Sequence, residues 1–290
     1  MEGRVLTSVE LHQTPKHHSH GEVCPPPKSP GILEEDKPPA AKHGSKSGGR
    51  GLFSSHTGKA SYRQHKPHVN RVLAGLLCSG VTMRRAAIVV GINRKTVAKK
   101  LAWMGSQARA AHQEFLRSRK LCVVDVQFDE LETCERTKLK PLSIALAVSE
   151  QGGEILGCQV ATMNCHGHKA ATSVGKYGRR LDTRQAACAQ VMQDVAKVAA
   201  SCVTVATDQK ASYRKIIANV LPTATHTAYL SRRNPAQWFD ALFTLNIACA
   251  KLRADLARLR RRTWAISKKP QCLQDHLDLY VAFNNKYALW

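Results

Sequence analysis

The sequence predicts an α/β fold with a mixed sheet, preceded by a small all-α unit and a disordered N-terminal tail. Three observations carry this. Composition changes near residue 67, from Pro-, Gly-, Ser-, His- and Lys-rich to regularly apolar. Three strand-like segments are then followed by alternating helices and strands, the pattern of a mixed-sheet domain. Two of the strand-like segments, 123–130 and 202–208, each run into a carboxylate at their ends, Asp129 and Asp208. At 290 residues the chain can hold one good core and one small accessory domain.

Residues 1–66 form the expected tail. Pro25-Pro26-Pro27, Pro38-Pro39 and Gly48-Gly49 interrupt any periodicity, and a segment this polar buries too little apolar surface to offset its ordering entropy. His17, His18, His20 and Cys24 raise the question of zinc. A structural zinc site takes four ligands, usually as paired spacings such as C-x₂-C. No second pair stands near these four, so no zinc is expected.

From residue 67 to 106 the pattern is helical and compact. Val72, Leu73, Leu76 and Leu77 make one apolar face, and Gly80 closes the first helix. Thr82 caps a second helix carrying Ala86, Ala87, Val89 and Val90. Gly91 makes the turn, Asn93 caps a third helix over 94–101, and Gly105 ends it. Small Ala87, Gly91 four residues later and apolar Val97 fit a helix-turn-helix, whose first helix must pack closely on the second. Arg94, Lys95, Thr96, Lys99 and Lys100 would then face a major groove or its phosphates, with Arg84, Arg85 and Asn93 as further DNA contacts. The same spacing also suits any three-helix bundle with a basic, solvated face.

Residues 106–120 read as a basic helical connector. The second domain, 121–287, is expected to run strand (121–129), strand (141–149), strand (153–162), basic loop (164–180), helix (182–200), strand (202–207), short helix (211–219), strand (224–230) and long helix (235–262). Gly152-Gly153 suits a hairpin turn. The basic loop carries His166, His168, Lys169, Lys176, Arg179 and Arg180; it has the charge to track a phosphate backbone and is equally consistent with a plain surface insertion. Leu242, Leu245, Cys249, Leu252, Leu256 and Leu259 form a stripe on the long helix, read as core packing.

Side chains alternate along a strand, so Asp125, Gln127 and Asp129 share one face. Strand-end carboxylates at Asp129 and Asp208 suit Mg²⁺, which takes hard oxygen ligands and uses one or two carboxylates plus substrate phosphates. Either Asp taken alone reads better as a strand-terminating turn residue; it is the two together that make the case for a metal. The formal net charge is +23, from 44 Lys and Arg against 21 Asp and Glu, which points to a polyanionic partner, nucleic acid first. No apolar run approaches a spanning helix and the N-terminus lacks a signal-peptide core, so no membrane partner is expected. The ten cysteines are scattered, most of them inside apolar segments, and imply no disulfide framework.

Taken together, the helix-turn-helix over 83–97, Phe128-Asp129-Glu130, Thr207-Asp208 and the closing run Leu252-Arg253, Arg258 to Thr263 and Ser267-Lys268 resemble a known family. That family is the DDE-type insertion-sequence transposases of very small bacterial elements, with an RNase H-like catalytic domain. The resemblance covers about residue 52 to 287. It implies Mg²⁺-dependent (Mn²⁺ possible) strand cleavage and strand transfer on double-stranded DNA, at element ends and target, by a homo-oligomer in the nucleoid-associated cytoplasm. It makes Asp129 and Asp208 the first two metal-binding acids, with Glu130 an accessory candidate. Two features depart from the family. The paired cysteines of a zinc ribbon are missing, and the family's third acid, a Glu, registers with Asn246. Asp240 is the alternative third ligand; on a continuous helix six residues turn about 240°, so Asp240 and Asn246 would point different ways. Loss of the Glu leaves a second reading open, a transposase-derived DNA-binding protein or repressor without catalysis.

Overall fold

The computed structural model describes residues 60–62, 64–118, 122–230, 240–260 and 264–287. The tail cluster of His17, His18, His20 and Cys24 lies outside them, as do Arg261, Arg262 and Thr263 of the closing run. The mixed α/β class is present: a five-stranded mixed sheet flanked by helices. No helix among the described residues is long and apolar enough to cross a membrane.

The chain enters through a 3₁₀ turn and three helices, α1 (Asn70–Leu77), α2 (Met83–Val90) and α3 (Arg94–Ser118). The caps are those the sequence marks. The Thr82 side chain accepts from the Arg85 N–H, Gly91 takes the left-handed conformation at φ 67°, and Asn93 Oδ1 accepts from the Lys95 N–H at 2.8 Å. Leu73, Leu77, Ala86, Ala87, Val97 and Leu101 close the core between these helices. Gly105 does not end α3, which continues through the expected connector to Ser118.

The sheet follows as β1 (Val123–Cys134), β2 (Pro141–Ser149) and β3 (Ile155–Thr162), an antiparallel meander, then β4 (Ala199–Asp208) and β5 (Thr225–Tyr229). Strand order is β3-β2-β1-β4-β5, with β4 parallel to β1 and β5 parallel to β4. Between β3 and β4 lie α4 (Ala170–Tyr177) and α5 (Arg184–Ala196), and α6 (Ala211–Val220) joins β4 to β5. The segment read as a basic loop therefore contains a short helix. Its Arg180 is tied down, donating to the Pro141 carbonyl at 2.9 Å and to Glu135 at 3.0 Å.

Every residue of β2 is buried, because both faces of the sheet are covered. Leu142, Ile144, Leu146 and Val148 point into the core shared with α1–α3, α7 (Phe243–Asp255) and α8 (Pro270–Asn284), whereas Ala145 and Ala147 point into the core beneath α5 and α6. The three-helix unit and the sheet thus pack on one apolar interior.

Two helices differ from the sequence reading. The long helix expected over 235–262 is shorter; residues 231–239 lie outside the described set. It ends at Asp255, whose carbonyl accepts the Gly80 N–H from the α1–α2 turn, and Leu256 is extended. Leu256 and Leu259 are still buried, in the turn that follows. The second difference is α8, buried on nearly all sides from Leu273 to Ala282 and so without the polar face that marks a surface helix. Its Gln274 substitutes for a neighbouring strand along β3, accepting from the Val160 N–H at 2.7 Å and donating to the Cys158 carbonyl at 3.0 Å. Asn285, just past the helix, does the same for both backbone groups of Ile155. Two amides therefore occupy polar groups that an edge strand would otherwise expose.

Candidate functional site

The parallel pairing of β1 and β4 sets the site. Phe128 lies beside Thr207, so the next step along each strand brings Asp129 beside Asp208. Alternation then fixes the face. Val126 and Phe128 on β1, and Val203 and Val205 on β4, point into the α5–α6 core, which leaves Asp129 and Asp208 directed towards α7. The two carboxylates repel. Burial and then the Asp208 charge push Asp129 up to about 6, against the Tyr213 hydroxyl and Lys210, which favour its ionised form.

Gln127, one pleat before Asp129, fixes where α7 begins. It is 1 % exposed, accepts the Leu245 N–H at 2.9 Å and donates to the Ala241 carbonyl at 3.1 Å. A buried amide satisfied on both sides holds the helix start over the acid pair. Cys249 of α7 lies within the field of Asp129: burial first, then that charge, raises its thiol to about 11.

Two groups that the sequence reading missed complete the surroundings. Lys210 and Tyr213 stand two and five residues beyond Asp208, on the turn into α6. The Lys210 ammonium pairs with Glu130, and its backbone N–H donates to Asp208 Oδ1 at 3.1 Å. The Tyr213 hydroxyl lies 3.0 Å from Glu130 Oε2 and 3.2 Å from Asp129 Oδ1, with its ring buried edge-on against Phe128. The available signal was spacing: a helix that starts right after a strand-end Asp turns its first side chains back to that strand end. Glu130 is occupied by Lys210, Tyr213 and the Ser143 hydroxyl at 2.8 Å. It braces the site and is not an open ligand.

Asp240 and Asn246 come together instead of diverging. The expected divergence assumed one continuous helix, but α7 begins at Phe243, so Asp240 lies in the turn before it. Its carboxylate accepts the Leu242 N–H at 3.1 Å and the Asn246 amide at 2.8 Å. Asn246 is exposed and, among the described residues, hydrogen-bonds to neither Asp129 nor Asp208. Asp129 and Asp208 are the two acids that the strand pairing sets side by side. No group of three or more His, Cys, Asp or Glu suited to a metal is present among the described residues.

On the helical unit, Arg84, Arg85, Asn93, Arg94, Lys95 and Lys99 are exposed and Thr96 is half-buried. Lys100 is a correction to the expected basic surface. It is 5 % exposed, and its ammonium donates to Asn70 Oδ1 at 2.7 Å, the Lys66 carbonyl at 3.1 Å and Gln64 at 3.4 Å. Its position one residue past Lys99 turns it about 100° round the helix, into the unit's interior. Comparison of the chain with protein-family models and with curated proteins finds no match to either.

Proposed function

We propose that the chain is a DNA transposase of the DDE type, with an RNase H-like catalytic domain and a helix-turn-helix that grips DNA. The observation that carries the reading is the pair Asp129 and Asp208, side by side at the ends of adjacent parallel strands, with burial and then the Asp208 charge raising Asp129's cost of ionisation. An antiparallel meander followed by two parallel strands supports the RNase H-like assignment. The capped helices α2 and α3, with exposed Arg84, Arg85, Arg94, Lys95 and Lys99, support the helix-turn-helix.

Asp129 and Asp208 would hold Mg²⁺ or Mn²⁺, which supplies Lewis-acid stabilisation of the attacking and leaving oxygens of a phosphoryl transfer. The chain's own groups set up that step. Tyr213 and Lys210 hold the strand ends in place, and Gln127 fixes α7 above them. The helical unit would seat the element's terminal DNA, with the strand to be cut laid over the carboxylates. The test is cleavage and strand joining by the purified protein on labelled DNA bearing the element's ends, with Mg²⁺ or Mn²⁺. Asp129→Ala and Asp208→Ala are expected to lose both reactions and keep DNA binding; unchanged activity in both would sink the mechanism.

A second reading is favoured by one observation. Asn246, where the family resemblance calls for a Glu, is neutral and committed to Asp240. A transposase-derived DNA-binding protein without catalysis would show binding, silence in the cleavage assay, and activity gained in Asn246→Glu.

A further inference from the structure

Beside α2 and the start of α3 lies a pocket of about 230 Å³ that the carboxylate site does not use. Met83 and Arg84 of α2, Arg94 of α3, and Arg258, Trp264 and Lys268 from beyond α7 are among its lining residues. Arg258 decides its chemistry. The residue is 9 % exposed, and its Nε donates to His276 Nδ1 at 3.1 Å while one Nη lies 3.3 Å from the Met83 sulfur. Among the described residues no carboxylate lies within ion-pairing distance of it. Asp275, the nearby acid whose field reaches it, is engaged by Arg109 at 3.5 Å and Gln271 at 2.9 Å.

His276 does not offset that charge. Its Nδ1 accepts from Arg258, so its Nε2 carries the proton and donates to the Leu77 carbonyl at 3.0 Å. Burial and the neighbouring guanidinium hold it neutral. A cation taken out of water without a counter-charge is costly, and an anion arriving from outside relieves that cost. Arg84, Arg94 and Lys268 add positive charge to the pocket, and no acid among the described residues lines it. Trp264 has 68 % of its surface exposed. An exposed indole lining the same pocket as guanidinium groups is the kind of platform on which nucleic-acid bases stack.

We propose that this pocket takes one unpaired nucleotide of DNA, with its phosphate on Arg258 and its base against Trp264. At about 230 Å³ the pocket excludes a duplex and is below the roughly 300–1,000 Å³ of clefts that enclose a drug-sized ligand, so an extruded or single-stranded nucleotide enters only in part, with its base left against the exposed Trp264. Arg84 and Arg94 belong both to this pocket and to the exposed basic face of the helix-turn-helix. The unpaired nucleotide therefore sits directly beside the bound duplex, and the proposal rests on the DNA-binding reading above.

The experiment uses the full chain, a fully paired duplex and the same duplex with one unpaired 2-aminopurine. The unpaired form should bind about tenfold more tightly, in line with the strength of base–aromatic stacking, with quenching of the 2-aminopurine. Trp264→Ala should erase both the preference and the quenching while paired-duplex affinity stays the same. Because Trp264 is exposed, this variant leaves the core intact; Arg258→Lys, checked by circular dichroism, should weaken the preference in parallel. Equal affinity for the two duplexes in the wild type overturns the pocket and leaves the DNA-binding reading standing. Failure to bind either DNA overturns both.

Discussion

Asp129 is the residue whose behaviour is most directly measurable. Its folded-state value of about 6 lies above the ordinary 3.8, so between these values the folded chain holds a proton that the unfolded chain has released. The stability contributed by that proton is full below about pH 4 and is lost as pH rises through 6. Above pH 6 the folded protein carries an ionised carboxylate against burial and against Asp208. Asp278 is pushed up to about 6 as well, chiefly by burial, while the buried His276 opposes the trend. The informative quantity is therefore the wild-type melting temperature minus that of Asp129→Asn, followed from pH 4 to 8. That difference should fall with pH in chelator, and Mg²⁺ or Mn²⁺ should restore it above pH 6. Asp208→Asn should flatten the fall by removing the like charge, and should abolish the metal response. A difference that is flat in pH and blind to metal would mean that the two acids are not coupled.

Among the elements, the packing of α3 on α8 is the contact that sequence periodicity conceals. A Cβ at Gly105 would stand 2.5 Å from the Asp275 carbonyl oxygen and 2.8 Å from its Cα. Both are backbone atoms that cannot swing away. Gly105→Ala should force the helices apart and lower stability by about 1–3 kcal/mol, the range of overpacked cores, even though alanine favours a helix. Equilibrium denaturation reads this, and a stabilised variant would show that the helices do not meet there. This glycine also shows what the sequence could and could not reveal. Local signals made α1, α2 and the start of α3 legible, because Thr82, Gly91 and Asn93 cap by short-range hydrogen bonds. Strand alternation likewise placed Asp125, Gln127 and Asp129 on one face. Gly105 read as a helix stop because its reason is a neighbour 170 residues away in sequence, Asp275. The end of α7 was hidden for the same cause, since the Gly80 N–H that caps Asp255 belongs to a different part of the chain. Helix α8 was missed because its buried Gln274, Asp275, His276 and Asp278 break the apolar stripe, and only their tertiary partners on β3, α3 and α1 make them tolerable.

At the scale of the molecule, the surplus of positive charge is a statement about salt. Binding to duplex DNA should weaken as salt rises, because each phosphate neutralised by the protein releases condensed counterions. Five exposed cations line the proposed reading surface: Arg84, Arg85, Arg94, Lys95 and Lys99. If each meets one phosphate, the slope of log K against log salt is about −4.5, and the double variant Lys95→Ala/Lys99→Ala flattens it by about 1.8. Lys100 is the internal control. It is as basic as Lys99 in the sequence, yet its ammonium is spent on Asn70 and the Lys66 carbonyl. Lys100→Met should leave the slope unchanged and lower stability instead, because those acceptors lose a buried donor. A filter-binding titration at several salt concentrations separates the cases, run where circular dichroism shows each variant folded. A slope that falls equally for Lys99→Ala and Lys100→Met would mean that the chain's total charge, and not this face of the helical unit, holds the DNA. The geometry argues for the face: Gly80 joins the α1–α2 turn to the end of α7, and Gln127 joins the start of α7 to the strand carrying Asp129. Duplex gripped by the helical unit would thus sit on the same compact unit as the acid pair.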